Sequence, residues 1–172
     1  MIPFVLETAR LAFRELRADD LDFVAAMLSD PEVMRYYPKV YSRDEARGWI
    51  ERQQERYARD GHGLWLVLDR TGGSPIGQVG LLLQGIEGVD EPEIGYLIHR
   101  PFWRRGYATE AACAVRDAAF GRGLDHCISL IRPENVPSRG VARKVGMTSG
   151  REVLFHGLPH LVHAVRSDAQ AP

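Results

Sequence analysis

The chain has 172 residues, of which 45% are hydrophobic and 26% are charged, and its formal net charge is -1. This length and composition fit one globular domain with a substantial core, and the nearly balanced charge argues against a dedicated nucleic-acid-binding protein. No apolar run is long enough to span a membrane, and the amino terminus lacks the basic region and long apolar core of a signal peptide. We therefore expect a cytoplasmic protein with no membrane partner.

The first half of the chain predicts a strand, two helices and two further strands. A partly alternating run from Thr8 to Arg17 predicts the first strand. Asp19 or Asp20 can cap a helix that ends near Asp30, and the capping box Ser42-Arg43-Asp44-Glu45 opens the next helix. The elements that follow are a strand from Leu64 to Leu68, a turn from Asp69 to Pro75, a strand from Ile76 to Leu83 and an acidic loop from Gly85 to Pro92. This loop is interpreted as a solvated face, with attraction of a cationic amine as the alternative.

The stretch from Glu93 to Gly123 predicts a strand, a tight loop and a helix. Large apolar residues alternate with others from Glu93 to His99, which is typical of a strand. From Ala108 the spacing becomes that of a helix with small apolar side chains on one face, which lets the helix lie close to a sheet. These side chains are Ala108, Ala111, Ala112, Val115 and Ala119.

The loop from Trp103 to Ala108 predicts a phosphate-binding turn. Gly106 permits backbone geometry and close ligand approach that a Cβ would hinder. The N–H groups that follow belong to the first turn of a helix and have no intrahelical partner, so with the helix dipole they favour an anion. The alternative is a solvated basic loop with a helix-capping glycine. The side chains that would strengthen an anion site are Arg100, Arg104 and Arg105.

The last third of the chain predicts a strand, a short helix and a hairpin. A strand at about Asp125 to Arg132 precedes a helix for which Ser138 suits the N-cap. Two strands follow, from Ser149 to His156 and from His160 to Arg166, and residues 167–172 are expected to be a disordered tail. This order of elements predicts an α/β fold in a single domain, residues 1–172, around one mixed sheet.

Other common sites are absent from the sequence. The six histidines lack metal-ligand spacing, and His160 and His163 point to opposite faces of a presumed strand, so no metal is expected. Cys113 and Cys127 are interpreted as small buried hydrophobic residues. No G-x-S-x-G hydrolase motif, P-loop or dinucleotide fingerprint occurs.

Two motifs carry a family resemblance. W-R-R-G-Y-A-T-E-A follows a strand that ends Y-L-I-H, and E-N-x-x-S-x-x-V-x-x-K-x-G-M comes later in the chain, each in the expected strand and helix context. Over nearly its whole length the chain resembles the GNAT superfamily of acyl-CoA-dependent N-acetyltransferases, in particular the ribosomal-protein N-terminal acetyltransferases. The resemblance implies a single-domain GNAT-like fold, with a mixed, mostly antiparallel central sheet flanked by helices. It also implies acetyl-CoA as cosubstrate and a primary amine as acceptor, either a protein N-terminal α-amine or a small-molecule amine.

The resemblance further implies where acetyl-CoA lies. The strand that ends at His99 would splay from the next strand of the sheet, and the pantetheine arm would occupy the gap along its edge. The pyrophosphate would lie on the backbone N–H groups around Gly106. The Asn135 amide would face pantetheine or the neighbouring chain, unless it only caps a turn. The residues expected to bind acetyl-CoA are Leu97, Ile98, His99, Arg104, Arg105, Gly106, Tyr107, Ala108, Thr109, Asn135 and Ser138.

Acyl transfer to an amine indicates two catalytic residues. The reaction needs a neutral amine, a donor to the oxyanion at the thioester carbonyl, and a proton for the departing thiolate. Glu93 is the candidate base, acting through water, and the alternative is a carboxylate in solvent. Ser138 is the candidate partner of the thioester sulfur, or else only a helix cap. The resemblance suggests the N–H of Ile98 or its neighbour as the oxyanion donor.

Two departures from the superfamily pattern bear on function. Trp103 stands where Gln or Arg is common, which the ribosomal-protein branch tolerates. Ala142 stands where a tyrosine often acts as general acid, and this supports the alternative of a catalytically silent acyl-CoA-binding module. Nucleic-acid binding is set aside because the phosphates of CoA account for the basic residues, and a homodimer is compatible with exposed strands or helices. The segments expected to select the amine are Tyr36 to Gly63, Gly85 to Pro92 and the last hairpin.

Overall fold

The computed structural model describes residues 5–167. The strands are β1 (Leu6–Glu7), β2 (Leu11–Arg14), β3 (Leu64–Asp69), β4 (Pro75–Ile86), β5 (Val89–Ile98), β6 (His126–Ile131), β7 (Thr148–Phe155) and β8 (Leu158–Arg166). The helices are α1 (Leu21–Ser29), α2 (Arg43–Asp60), α3 (Tyr107–Gly121) and α4 (Val136–Lys144), and short 3-10 turns occur at Ala18–Asp20 and Arg100–Phe102. Of the predicted tail, residues 168–172 lie outside the described part of the chain.

All eight strands form one mixed sheet in the order β1-β2-β3-β4-β5-β6-β8-β7. Every neighbouring pair is antiparallel except β5–β6, which is parallel. Helices α1 and α2 pack on one face of the sheet, and α3 and α4 pack on the other. The predicted fold class, an α/β fold around a mixed and mostly antiparallel sheet, is therefore confirmed.

The predicted first strand, Thr8 to Arg17, is wrong in its extent, because the chain bends within it. The Thr8 hydroxyl accepts a hydrogen bond from Leu11 N (3.0 Å), and Thr8 N donates to Leu11 O (2.8 Å). A polar side chain that bonds nearby backbone favours a turn over a continuous strand. Two short strands, β1 and β2, result, and their bend reaches toward α3.

The acidic loop predicted from Gly85 to Pro92 is wrong, because both flanking strands continue through it. β4 and β5 pair up to a tight turn in which Glu87 and Gly88 have φ of 51° and 85°, and a positive φ at both central residues suits the twist of a hairpin. Ile86 is buried in a small apolar cluster at the tip, and Glu87 forms an ion pair with Arg151 of β7. Packing at the tip thus extends the hairpin across polar sequence.

The capping residues predict the ends of α2 correctly but not the start of α1, where Asp20 makes no side-chain cap bond because its carboxylate accepts hydrogen bonds from the Arg14 guanidinium and from Arg17 N. In α2, Glu45 N donates to the Ser42 hydroxyl (3.2 Å) and Ser42 N donates to the Glu45 carboxylate (2.8 Å), which is the predicted capping box. Gly61, with a φ of 74°, ends this helix. The predicted stripe of small residues on α3 packs against β4 and β5 and is buried at Ala111, Ala112, Val115 and Ala119.

Candidate functional site

The parallel strands β5 and β6 separate in the middle of the sheet. Glu93 and Ile128 form their single register pair. At the closed end, the imidazole of His126 contacts the carboxylates of Glu91 (2.6 Å) and Asp125 (2.5 Å). These two hydrogen bonds, first that of Glu91, raise the pKa of His126 and favour its charged form. Beyond this pair no further register pair joins the two strands in residues 5–167, which leaves a gap of the kind that the family resemblance implies.

The backbone groups of β5 alternate between its two neighbours. In an antiparallel strand, the N–H and C=O of one residue point to the same side, and successive residues point to opposite sides. His99 N donates to Ile76 O near β4 (2.9 Å), whereas Ile94 O accepts the hydroxyl of Ser129 in β6 (2.7 Å). Leu97 and His99 therefore direct their backbone groups toward β4, and the even-numbered residues direct theirs into the gap.

Tyr96 and Ile98 form the open edge of the gap. The Ile98 carbonyl accepts a hydrogen bond from the Trp103 indole N–H (2.6 Å). In residues 5–167, the N–H groups of Tyr96 and Ile98 and the C=O of Tyr96 have no hydrogen-bond partner. An extended ligand with amide groups can pair with such an edge as an added strand would.

The glycine loop, residues 103–109, lies at the open end of the gap and leads into α3. Arg104 and Gly106 have φ of 62° and 78°. Glu110 N is the first amide of the helix to bond, to Gly106 O (3.0 Å). Within the described chain, the N–H groups of residues 104–109 have no hydrogen-bond partner. Unpaired N–H groups at a helix N-terminus favour an anion, so the loop keeps the backbone features on which the predicted phosphate-binding turn depends.

The three arginines around the glycine loop have different surroundings. Arg100 forms an ion pair with Asp30, after α1 (2.9 Å). Arg105 lies over the ring of Phe102, 5.7 Å from its centroid. Arg104 is exposed. Arg104 and Arg105 therefore remain available to an anion at the loop, whereas Arg100 already has a carboxylate partner.

The helix α4 borders the gap on the side opposite β5. It begins at Val136, and Asn135 is its N-cap, with the Asn135 side-chain oxygen accepting a hydrogen bond from Ser138 N (3.2 Å). The prediction of Ser138 as the cap is therefore wrong, because Asn135 provides the acceptor three residues earlier.

The side chain of Tyr96 in β5 reaches the backbone of α4. The Tyr96 hydroxyl donates to Ser138 O (2.8 Å), and burial raises the pKa of this hydroxyl. Ala142, one helical turn beyond Ser138, is fully buried. A phenol from β5 thus contacts α4 one turn before Ala142, a contact that no motif in the sequence indicates.

Glu93 lies at the closed end of the gap, on the sheet face that α1 and α2 cover. It is 8% exposed, so the alternative of a carboxylate in solvent does not hold. Burial raises the pKa of Glu93, against the lowering effects of hydrogen bonds from Gln84 Nε2 (2.8 Å) and Leu130 N (3.3 Å) and of the charge of Arg56. A carboxyl group with a raised pKa is suited to accept a proton near neutral pH.

Two buried polar atoms without partners lie near the end of β5. Gln78 is fully buried opposite Leu97, its side-chain oxygen accepts from the Trp49 indole (2.8 Å), and its Nε2 has no partner. His99 Nδ1 is also buried without a partner. Buried donors in native proteins are nearly always bonded, so these atoms indicate contact with a bound molecule or water. The sequence analysis missed Gln78 because it forms no motif.

Tyr37, in the segment between α1 and α2, was also missed as an individual residue, although it lies in a segment expected to select the amine. It leaves 39% of its surface exposed. Burial of its hydroxyl, followed by the negative charge of Glu93, raises the pKa of Tyr37. Tyr37 therefore lies within electrostatic reach of Glu93.

Residues 5–167 contain neither a metal cluster nor a membrane-spanning helix. No group of three or more His, Cys, Asp or Glu side chains in this range is arranged to hold a metal ion. No helix in the same range has the length and apolar character needed to cross a bilayer.

The chain is similar to known proteins in sequence and in fold. A sequence model of the Acetyltransferase (GNAT) domain matches residues 10–148. The uncharacterized protein YkkB of Bacillus subtilis (strain 168) is 34% identical over 164 residues, covering 95% of each chain. The acetyltransferase from Agrobacterium tumefaciens str. C58 matches with a TM-score of 0.83 and 28% identity, over 97% of this chain and 96% of that one. The ribosomal-protein-S5-alanine acetyltransferase from Vibrio fischeri shares the fold, with a TM-score of 0.75 and 16% identity, over 96% of this chain and 98% of that one.

Proposed function

The chain belongs to the Acetyltransferase (GNAT) domain family, as its two motifs predict, and we propose that it is an N-acetyltransferase acting on a primary amine. Family membership supports acetyl transfer from acetyl-CoA. One observation supports the proposal: the unpaired strand edge at Tyr96 and Ile98, the buried carboxyl group of Glu93 and the glycine loop all belong to β5 or to the loop that follows it.

Acetyl-CoA fits this space as the cosubstrate. Its pyrophosphate suits the unpaired N–H groups of the glycine loop, with Arg104 and Arg105 beside them. Its pantetheine amides suit the open edge at Tyr96 and Ile98, which Leu97 and His99 flank. Asn135 and Ser138 border the far side of the gap.

The reaction that we propose is direct attack of the amine on the thioester. The amine nitrogen forms a bond to the acetyl carbonyl carbon, and the carbon–sulfur bond breaks. The N–H of Ile98, or that of Tyr96 on the same edge, donates to the oxyanion, and Glu93 takes the proton of the amine through water. The departing sulfur accepts a proton from the Ser138 hydroxyl or from water. No covalent intermediate with the enzyme is required.

The amine is proposed to enter on the face of the sheet that α2 covers. Glu93 lies on this face, and the unpaired Nε2 of Gln78 can donate to an oxygen atom of the acceptor. A protein N-terminal α-amine and a small-molecule amine that carries such an oxygen both meet these requirements. Ala142 supports a second candidate, a catalytically silent acyl-CoA-binding module, because α4 has no phenol of its own.

Release of free CoA thiol from acetyl-CoA distinguishes the two candidates. The assay compares buffer with a panel of peptides with free N-termini, amino acids, polyamines and aminoglycosides. We expect at least one amine to accelerate release, and Glu93→Gln to slow it by about 100-fold, the usual contribution of a general base, while acetyl-CoA still binds. Glu32→Gln, the same change at an exposed position, serves as the matched control. Binding of acetyl-CoA with no acceleration by any amine would favour the silent module.

A further inference from the structure

Arg10 joins the amino-terminal bend to the glycine loop through four contacts. Its Nη1 donates to Arg105 O (3.0 Å), and its guanidinium lies 4.6 Å from the centroid of the Tyr107 ring. Its Nε donates to the Glu110 carboxylate (2.6 Å), to which its backbone N also donates (3.1 Å). One side chain from the start of the sheet thus contacts the loop and the first turn of α3.

The contact with Arg105 O bears on the direction of the loop amides. A peptide unit directs its C=O and its N–H to opposite sides. A carbonyl that turned toward a bound phosphate would repel it, whereas Arg10 holds the Arg105 carbonyl on the side of the amino-terminal bend. The next N–H, that of Gly106, therefore points away from Arg10 and remains free for an anion. Gly106 permits this arrangement with its φ of 78°.

The contact between Arg10 and Glu110 offsets a negative charge in the first turn of α3. This carboxylate accepts hydrogen bonds from Arg10 and from the Thr8 hydroxyl (2.6 Å). Burial works against its ionisation, but these hydrogen bonds hold the pKa of Glu110 below its usual value. A negative charge in the first turn of a helix is favourable to the helix but repels a phosphate bound at the same turn. The guanidinium of Arg10 offsets that charge.

We infer that Arg10 is a positioning residue for cosubstrate binding, which orients the glycine loop and neutralises Glu110 so that the loop amides bind the phosphates of CoA. This inference rests on the proposed function. It assigns a binding role to the bend between β1 and β2, which lies far from the motifs in sequence.

The test measures the dissociation constant of CoA by calorimetry for wild type and four variants. Arg10→Gln should weaken CoA binding by about tenfold, equivalent to about 1.4 kcal/mol. Glu110→Gln alone should bind at least as tightly as wild type. The double variant should bind more tightly than Arg10→Gln, because removing the carboxylate removes the repulsion. In turnover, Arg10→Gln should raise the KM for acetyl-CoA and leave kcat within about twofold of wild type.

Arg70→Gln is the matched control. Arg70 donates to Thr8 O (2.6 Å) in the same hairpin but does not contact the glycine loop. It should lower the melting temperature without changing the affinity for CoA. A dissociation constant for Arg10→Gln within about twofold of wild type, or an equal loss in Arg70→Gln, would overturn the inference. Equal affinities for the double variant and Arg10→Gln would overturn the role of charge.

The same measurements separate this inference from the proposed function. If the wild-type protein binds CoA but acetylates no amine, the proposed function is wrong. The CoA affinities of the Arg10 variants then still decide the inference about Arg10. A wild-type protein that does not bind CoA overturns both.

Discussion

Burial of the Glu93 carboxylate lowers the stability of the fold and raises the basicity of the carboxylate. Its carboxyl group is almost fully buried, and only the hydrogen bonds from Gln84 and Leu130 and the charge of Arg56 favour its ionised form. A buried charge without a close cationic partner destabilises a fold. The same desolvation makes the carboxylate a better proton acceptor for an amine.

Glu93→Gln should therefore melt at a higher temperature than wild type at pH 8. The pKa of Glu93 is higher in the folded than in the unfolded chain, so its stabilising contribution is present below the unfolded value of 4.5 and is lost as pH rises through the folded value. The difference in melting temperature should shrink between pH 8 and pH 5. The activity of wild type should fall as pH falls through the same folded pKa.

Thermal melts of wild type, Glu93→Gln and Glu32→Gln at both pH values check this expectation. Glu32 is exposed and serves as the control for the chemical change alone. A Glu93→Gln protein that is less stable than wild type at pH 8 would show that the carboxylate is stabilised by its partners.

At the scale of elements, the glycine loop and α3 act together. Left-handed backbone at Arg104 and Gly106 leads the chain into the helix with its first amides unpaired. The small residues of α3 bring the helix close to β4 and β5. The sheet thereby fixes the position of these unpaired amides relative to β5.

Gly106→Asp should abolish stabilisation by acetyl-CoA. An added carboxylate repels phosphate, and a side chain at a φ of 78° costs about 1 kcal/mol of stability. Acetyl-CoA at about 100 times its dissociation constant should stabilise wild type by about 2.7 kcal/mol. The measurement is the shift in melting temperature on adding acetyl-CoA.

Gly157→Asp is the matched control for backbone strain. Gly157 has a φ of 74° in the hairpin between β7 and β8, and no atom lies within 4 Å of a Cβ added there. It should lose similar stability and keep the full shift with acetyl-CoA. If acetyl-CoA raises the melting temperature of Gly106→Asp as much as that of wild type, the cosubstrate does not bind at this loop.

At the scale of the whole molecule, hydrogen bonds between segments distant in sequence hold α2 against the sheet. The Tyr57 hydroxyl accepts a hydrogen bond from Leu16 N (3.2 Å) and donates to Leu64 O. Gln53 accepts from Leu64 N (3.0 Å). These contacts, with the continuous sheet, support the proposal that the chain is a single domain.

Tyr57→Phe should lower the free energy of unfolding by about 1 to 3 kcal/mol, because it leaves Leu16 N and Leu64 O without this partner. In a single domain, loss of secondary structure and of side-chain packing should occur in one transition. Urea titration followed by far-UV and near-UV circular dichroism checks both points. Separate transitions would contradict the single-domain proposal.

The sequence by itself determined the features that depend on residues close together in the chain. The capping box of α2, the small stripe on α3 and the unpaired amides after Gly106 all follow from short-range patterns. The order of these elements, with the two motifs, was sufficient for the fold class and the family. The residues of the glycine loop were predicted for the same reason.

Only the tertiary structure decided which distant residues meet at the site. The hydrogen bonds from Arg10 to Arg105 O in the glycine loop and from Tyr96 to Ser138 O join residues 95 and 42 positions apart in sequence. The extended β4–β5 hairpin and the unpaired amide of buried Gln78 also depend on neighbours from other elements. Such contacts leave no periodic signal, because each depends on where the folded backbone places two side chains. The burial that sets the pKa of Glu93 is likewise a property of the assembled sheet.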